Sequence, residues 1–473
     1  KELKKGYLRG PGELTELDLD ATCLTPRWPK WEEKEDGSWS CRCISDWKAS
    51  RGNDTVALSE KYSPEDLTTA HAVIRILREV FPRGTRLQGF RVDWEMAFRQ
   101  DPLWPGHAEY HYELVWNPHV QRVQWVRPLG GAFGSKAAQA NFVEHPHFIC
   151  HVARTRLGVL LCHYSDDKWA IEPVATAAHA HALVLELMDL IGWRYDTGKS
   201  PPPAEHFRLL GVEHYLGETA IVWLCDAKVR KLRMQLHNYR RMGRLTAADA
   251  STLHGSFNWV RSSLWGRCGS AILTPLRTRQ RSKHTGLTPA LLAMFDWLDE
   301  ALEHENGKEI PCCCASLDLV VTISDGEGTG NVAVGLWHIT HPRARPRITS
   351  TRVPQKLLRK WQLHALNSIA PIEGVGPLLA LATWPELKDK LWIHFIDNTN
   401  ALHALIKGHS VNNDLNEVMH ATWREIRRRR LHLWVEYVNT HDNPVDRASR
   451  GCREDLYSQG WVWDEPADIS HFL

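Results

Sequence analysis

The sequence predicts a multidomain chain of mixed class, an α+β part followed by an α/β part. Three observations carry this expectation. Residues 86–215 alternate short apolar runs with turns, the pattern of a sheet with packed helices. Residues 227–305 read as helical throughout. After residue 316 a strand–turn–strand pattern gives way to alternating helices and strands. With 473 residues, 43% of them hydrophobic, the chain holds core material for two or three domains.

Residues 1–85 are polar, with Pro- and Trp-rich turns and one helix near SPEDLTTAHAVIRILREV, for which Ser63 before Pro64 and Glu65 supplies a start. Phe90, Val92, Trp94 and Met96 alternate as in a half-buried strand, and that strand delivers Asp93. Apolar GVLLC and WAI flank the SDD of residues 165–167, so a hairpin turn there presents Asp166 and Asp167, a residue type that tolerates turn geometry. Residues 175–193 read as a helix. Three prolines in KSPPPAEH, 199–206, force a loop. FRLLGVEHYL then reads as one strand. In the helical stretch, Val229, Leu232 and Leu236 form an apolar face, while Lys228, Arg230, Lys231, Arg233, Arg240 and Arg241 cover the rest. That basic coat is either a solvated surface or a track for a phosphate backbone. HENGKEIPCCCAS, 304–316, is the clearest domain boundary. Beyond it LDLVVTISDGEGTGNVAVGLWHIT predicts two strands and a turn, and LWIHFID and LHLWVEYV two further strands.

The net charge is +2, so any nucleic-acid surface must come from local basic clusters such as Arg343, Arg345 and Arg347, or Arg424 with Arg427 to Arg430. No apolar run approaches the ~18 residues of a membrane span, and the charged start KELKKGYLRGPGE predicts no signal peptide. A first residue other than Met fits a piece of a longer polyprotein. The eleven cysteines lack paired spacings, and adjacent Cys312, Cys313 and Cys314 cannot easily share one ion. Reduced thiols in an intracellular protein, cytoplasmic or nuclear, are expected.

Two sets of acids stand out. Asp93 and the pair Asp166 and Asp167 flank a glycine-rich segment, PLGGAFGSK, that offers a small-residue surface. Adjacent acids repel unless cations neutralise them, and phosphoryl transfer uses two metal ions about 3.5–4 Å apart. Hard oxygen ligands suit Mg²⁺, or Mn²⁺. The second set is Asp325 in a hairpin, Glu373, Asp397 ending an apolar strand, and Asp446 near a C-terminal helix; these four can also converge on two metal ions. Pro377, four residues after Glu373, would break a helix there unless it sits in the first turn.

The succession of segments resembles the reverse transcriptases of retroelements. WSCRCISDWKASRGN resembles that family's W-R-x-x-x-D-x-R-x-x-N pattern, one or two residues longer before Asn53; DWEMAFRQDPL resembles D-x-x-x-A-F-x-Q-x-P-L; RPLGGAFGSKAA resembles the P-x-G motif; HYSDD resembles the Y-x-DD box. GWRYDTGKS and FRLLGVEHYL resemble the later glycine turn and primer-grip strand. Downstream, SDGEGTGNVAVGLW, IEGVGPLLALATW, HFIDNTNALHALIKG and NPVDRASRG resemble the ribonuclease H-like domain attached to such enzymes. The style of both halves is similar to DIRS-like (tyrosine-recombinase) retrotransposon polyproteins. Ser165 and Leu129 depart from the residues frequent at their positions.

The resemblance implies a right-hand polymerase: fingers within 1–85, a ferredoxin-like palm over 86–215, a helical thumb or connection over 216–305, and a ribonuclease H-like domain over 306–473. It implies RNA-directed DNA synthesis from deoxynucleoside triphosphates on an RNA template and DNA primer, with cleavage of the RNA–DNA hybrid and two Mg²⁺ or Mn²⁺ ions per site. Asp93, Asp166 and Asp167 would hold metal in the first site, and Asp325, Glu373, Asp397 and Asp446 in the second. Arg42 and Lys48 would contact the triphosphate, Phe98 would exclude a ribose 2′-hydroxyl, Gln100 and Gly130 would shape the nucleotide and template floor, and Lys199 would donate a proton to the leaving pyrophosphate. Two other readings are a scaffold that kept the fold and lost the chemistry, and an active polymerase with a silent ribonuclease H domain.

Overall fold

The computed structural model describes residues 2–33, 38–58, 65–310, 317–364 and 368–473. The chain forms two compact units, Lys1–Ala227 and Lys228–Leu473. The helices of 228–304 thus group with the C-terminal sheet, and residues 311–316, including Cys312, Cys313 and Cys314, lie outside the described residues. The eight described cysteines are free.

The first unit contains two sheets that bear on function. A three-stranded antiparallel sheet places Asp167–Pro173 between Leu87–Asp93 and Cys162–Tyr164. The alternation of Phe90, Val92 and Trp94 puts them in one core with Phe142 and Ile149 from helix Lys136–Val152 and with Ala180, Val184 and Met188 from helix Val174–Ile191. A five-stranded sheet runs in the order Leu8–Gly12, Arg122–Pro128, Tyr112–Asn117, Leu24–Glu33, Trp39–Ser45.

Three expectations need correction here. The expected start at Ser63 and Pro64 falls outside the described residues; the helix runs Leu67–Val80 and is capped by Asp66, whose side chain accepts from the Thr68 amide. FRLLGVEHYL is not one strand but a tight hairpin, His206–Leu209 and Val212–Tyr215, because Leu210 and Gly211 both take left-handed backbone angles. Val174–Ile191 has 18 residues and a mean hydropathy of 1.4, long and apolar enough to cross a membrane by length and composition, so an apolar run of that length does exist. Core helices meet the same measure, and Ala177, Ala180, Val184 and Met188 of this one are buried.

The helices Asp226–Met242, Ala247–Val260, Thr274–Gln280 and Pro289–His304 precede the six-stranded mixed sheet of the second unit. Its order is His432–Tyr437, Leu391–Ile396, Leu319–Gly326, Asn331–His338, Arg347–Arg352, Val462–Trp463. Leu319–Gly326 pairs antiparallel with Asn331–His338, as the strand–turn–strand pattern predicts, and parallel with Leu391–Ile396. A parallel pair needs a crossover, and helix Ile369–Thr383 lies within it.

A wholly buried histidine joins the parallel strands Leu391–Ile396 and Leu319–Gly326. Trp392 Nε1 donates to Thr322 Oγ1 at 2.6 Å, and the two ring nitrogens of His394 are hydrogen-bonded to hydroxyls, Nδ1 to Thr322 Oγ1 at 2.7 Å and Nε2 to Ser324 Oγ at 3.1 Å. Burial pushes the His394 pKa down to about 3. In the unfolded chain it titrates near its ordinary value, about 6.5. Between those values the unfolded state binds the extra proton, so stability falls as pH drops below about 6.5 and continues to fall towards about 3. Unfolding free energies from denaturant titration at pH 7 and pH 4.5 are expected to fall less steeply for His394→Gln than for the wild type; equal slopes would contradict this account.

Candidate functional site

The first carboxylate group is built by strand register. Asp93 ends its strand and pairs directly with Asp167 across the antiparallel ladder, while Tyr164 faces Asp167 from the other side. Ser165, with φ of +54°, and Asp166 make the turn between the hairpin strands. The repulsion is visible: burial, then Asp166, then Asp93, pushes the Asp167 pKa up to about 6. Lys199 answers part of it by donating from Nζ to Asp93 Oδ2 at 2.8 Å, and that carboxylate holds the Lys199 pKa above its ordinary value. The Asp93 amide donates to Ser200 Oγ at 3.1 Å, so the proline-rich loop is fastened to the strand end.

Lys168 supports the turn from beneath. Its ammonium is buried, donates to the carbonyls of Ser165 at 3.3 Å and Asp166 at 3.0 Å, and lies over the Trp94 ring. Burial drives its pKa well down despite the acids around it. Sequence reasoning missed this residue, since a lysine beside SDD reads as a solvated turn charge.

The residues expected around a nucleotide fall into two groups. Phe98 packs between Phe142 and Phe133, with ring centroids 4.5 and 5.2 Å away. Arg42 is exposed on strand Trp39–Ser45, with a loose contact to Glu32 at 3.6 Å. Lys48 is exposed on a loop organised by Asp46, whose Oδ1 accepts from the Lys48 and Ala49 amides. Asn53 ties that loop to the glycine-rich segment: its Nδ2 donates to the Gly134 carbonyl and its Oδ1 accepts from the Lys136 amide, both at 2.9 Å. Gln100 and Gly130, by contrast, are engaged in packing. Gln100 donates to the carbonyls of Glu95 and Arg194 and accepts from the Arg194 amide. Gly130 is buried where a Cβ would stand 2.3 Å from the Arg99 carbonyl oxygen, so glycine is required for the backbones to meet.

The second carboxylate group is tighter. Asp325, Glu373 and Asp397 offer oxygens that all lie within 4.8 Å of one another. Ser324 and Ile396 are parallel register partners, so the next residue on each chain, Asp325 and Asp397, emerges side by side. Glu373 arrives from helix Ile369–Thr383. Pro377 lies inside this helix rather than ending it, against expectation. Its ring only removes the amide that would bond the Glu373 carbonyl one turn back. The helix crosses the strand closely enough that a Cβ on Gly326 would stand 3.2 Å from the Glu373 carboxyl carbon, and one on Gly376 would stand 2.3 Å from Ser324 Oγ. The glycines are thus what bring Glu373 to the strand.

Asp446 sits at the edge, its Oδ1 accepting from Arg450 at 2.8 Å. It still contributes to the field that raises both Asp325 and Glu373. Thr440 donates to Asp397 Oδ2 at 2.9 Å, and buried Asn443 fixes the loop by donating to the Ser324 carbonyl at 3.1 Å. Neither was singled out from sequence, although Asn443 opens the NPVDRASR motif.

Burial, then Asp397 and Asp325, pushes the Glu373 pKa up to about 9; burial first, with Asp397 and Asp446 adding, pushes Asp325 up to about 7. Glu373 Oε2 and Asp397 Oδ1 are buried and meet no hydrogen-bond partner among the described residues. Orphaned, mutually repelling oxygens of this kind fit a hard divalent cation. Without one, the raised pKa values mean stability falls as pH rises from the ordinary carboxylate range towards about 9. Adding Mg²⁺ at pH 7.5 is expected to raise the Tm, equivalent to about 2.7 kcal/mol at a hundredfold excess over Kd. Glu373→Gln is expected to shrink that rise; an equal rise in both proteins would contradict a cation at this cluster.

No protein-family model matches the chain, and no curated protein matches it. Among solved structures it is similar to the foamy viral protease-reverse transcriptase. The dRH form in complex with double-stranded DNA is 14% identical, with a TM-score of 0.49 over 92% of this chain and 68% of that one. The same protein with double-stranded DNA is 15% identical, with a TM-score of 0.48 over 93% and 81%. With an RNA/DNA hybrid the values are 15% and 0.49, over 93% and 52%.

Proposed function

We propose that the chain is an RNA-directed DNA polymerase of a retrotransposon, acting inside the cell, whose C-terminal domain cleaves the RNA of an RNA–DNA hybrid. The observation that carries the reading is the cross-strand pairing of Asp93 with Asp167, with Asp166 at the adjoining turn. These are the three acids that the ordered motifs single out. Three carboxylates, with Lys199 bonded to Asp93, form a donor set suited to divalent metal. Two Mg²⁺ or Mn²⁺ ions bound at each site would activate the attacking oxygen and stabilise the leaving one.

The protein's own groups have separable tasks in this reading. Lys168 holds the turn so that Asp166 and Asp167 face the Asp93 strand end. Lys199, already protonated beside Asp93, supplies the proton for the leaving pyrophosphate. Arg42 and Lys48, both exposed, meet the triphosphate, Arg42 leaving its loose contact with Glu32. Phe98, braced by Phe133 and Phe142, stands against the sugar and selects deoxyribose. Phe98→Ala is accordingly expected to raise incorporation of ribonucleotides relative to deoxynucleotides by about a hundredfold or more, the effect of losing a few kcal/mol of steric discrimination. Unchanged discrimination in single-nucleotide extension would remove Phe98 from that role. The reading as a whole is tested by primer extension on a defined RNA template, run beside cleavage of an RNA–DNA hybrid.

A further inference from the structure

Outside both carboxylate groups, the second unit gathers cations that no acid balances. Arg261 opens the helical turn Arg261–Trp265, Arg277 lies in helix Thr274–Gln280, and Arg267 lies in the turn between them. Arg277 Nε donates to His254 Nε2 at 3.2 Å, so that imidazole is held as an acceptor. Arg261 bonds only neutral oxygens, Asn258 Oδ1 at 3.1 Å and the Gly266 carbonyl at 2.6 Å. Lys407 and His409 join from the end of helix Thr399–Lys407. Between them Gly408, with φ of +74°, packs so closely on Arg267 that a Cβ would stand 2.9 Å from the Arg267 Cβ.

Among the described residues, Arg261, Arg267 and Arg277 make no ion pair with a carboxylate, whereas Arg233, Arg240, Arg347 and Arg428 all do. Arg261 and Arg277 are half-buried, whereas Arg267 is exposed, its guanidinium over the Trp423 ring at 5.5 Å from the centroid. Burial, followed by Arg277 and Arg267, holds the Arg261 guanidinium below its ordinary pKa, and burial does the same for Arg267 and Arg277. His254 and His409 are lowered by burial and then by these same arginines. A fold that crowds like charges without a counterion is incomplete, and planar guanidinium forks match tetrahedral oxyanions.

We propose that Arg261, Arg267 and Arg277, with Lys407 at the rim, form a binding site for a phosphate group, either free or carried on a nucleic-acid strand. The site is separate from the two carboxylate groups and does not depend on the polymerase reading. The test uses the full chain in Mg²⁺-free buffer, as wild type and as Arg261→Gln with Arg277→Gln. One arm titrates inorganic pyrophosphate by calorimetry; the other measures the salt dependence of binding to a duplex oligonucleotide. The double variant is expected to lose about tenfold or more in pyrophosphate affinity, the effect of a lost charge-assisted hydrogen bond. If the ligand is a strand, the salt slope for duplex binding also drops by about one or two. If it is a free anion, that slope stays as in the wild type while the pyrophosphate arm changes. Equal pyrophosphate affinity together with an equal salt slope would overturn the proposal. Should the variant not fold, phenylglyoxal modification of wild-type Arg267 and Arg277, read by mass spectrometry, decides the matter. Protection by pyrophosphate or by duplex supports the site, and protection by neither overturns it.

Discussion

Replacing Asp166 and Asp167 together by Asn is expected to abolish primer extension on an RNA template while cleavage of an RNA–DNA hybrid continues. The substitution is nearly isosteric, and Lys168 holds this turn through backbone carbonyls rather than through the two carboxylates, so the hairpin persists. What disappears is negative charge where the proposed cations would sit. Loss of metal-held charge stabilisation removes several kcal/mol from the transition state, which corresponds to about a thousandfold or more in rate. Stability should move the other way. Asp167 is raised to about 6 by burial and by its acidic neighbours, so removing the charge relieves repulsion in the cation-free protein. An inactive variant with an unchanged or higher Tm is the expected pair of results, and extension that survives the double change would remove these acids from the reaction.

The converse is expected for Asp397→Asn: hybrid cleavage falls by about a thousandfold or more, on the same argument, and primer extension is spared. Asn can still accept from Thr440, which holds Asp397 Oδ2, so the local hydrogen bond survives. The orphaned Oδ1 loses its charge, and the cluster with Asp325 and Glu373 loses one of its three carboxylates. Loss of both activities would mean instead that Asp397 acts through the fold.

Much of this architecture was legible because period and punctuation are local. The alternation around Asp93, the SDD turn and the paired strands about Asp325 each need only a few neighbouring residues to declare themselves. The FRLLGVEHYL hairpin was not, because its turn depends on Leu210 accepting a left-handed angle that leucine rarely adopts. Pro377 misled for a related reason. A proline rule speaks to the backbone bond it removes, whereas the helix here is held by burial along nearly its whole length and by glycines that let it touch the strand. The supporting residues were hidden as well. Lys168, Thr440 and Asn443 act on atoms 2 to 119 positions away in the chain, and only packing reveals those partners. Gln100 and Gly130 were read as a nucleotide and template floor, whereas their polar atoms and free space are spent on backbone contacts.

In the proposed reaction, the acids delivered by Asp93 and the 165–167 turn join deoxynucleotides on an RNA template. The decisive measurement gives the wild-type chain a DNA primer annealed to a defined RNA template, deoxynucleoside triphosphates and Mg²⁺, with the Asp166→Asn, Asp167→Asn protein as control. Template-directed extension that requires the divalent ion and is absent in the control is expected. A wild-type chain that binds the primer–template but adds no nucleotide with either Mg²⁺ or Mn²⁺ would contradict it.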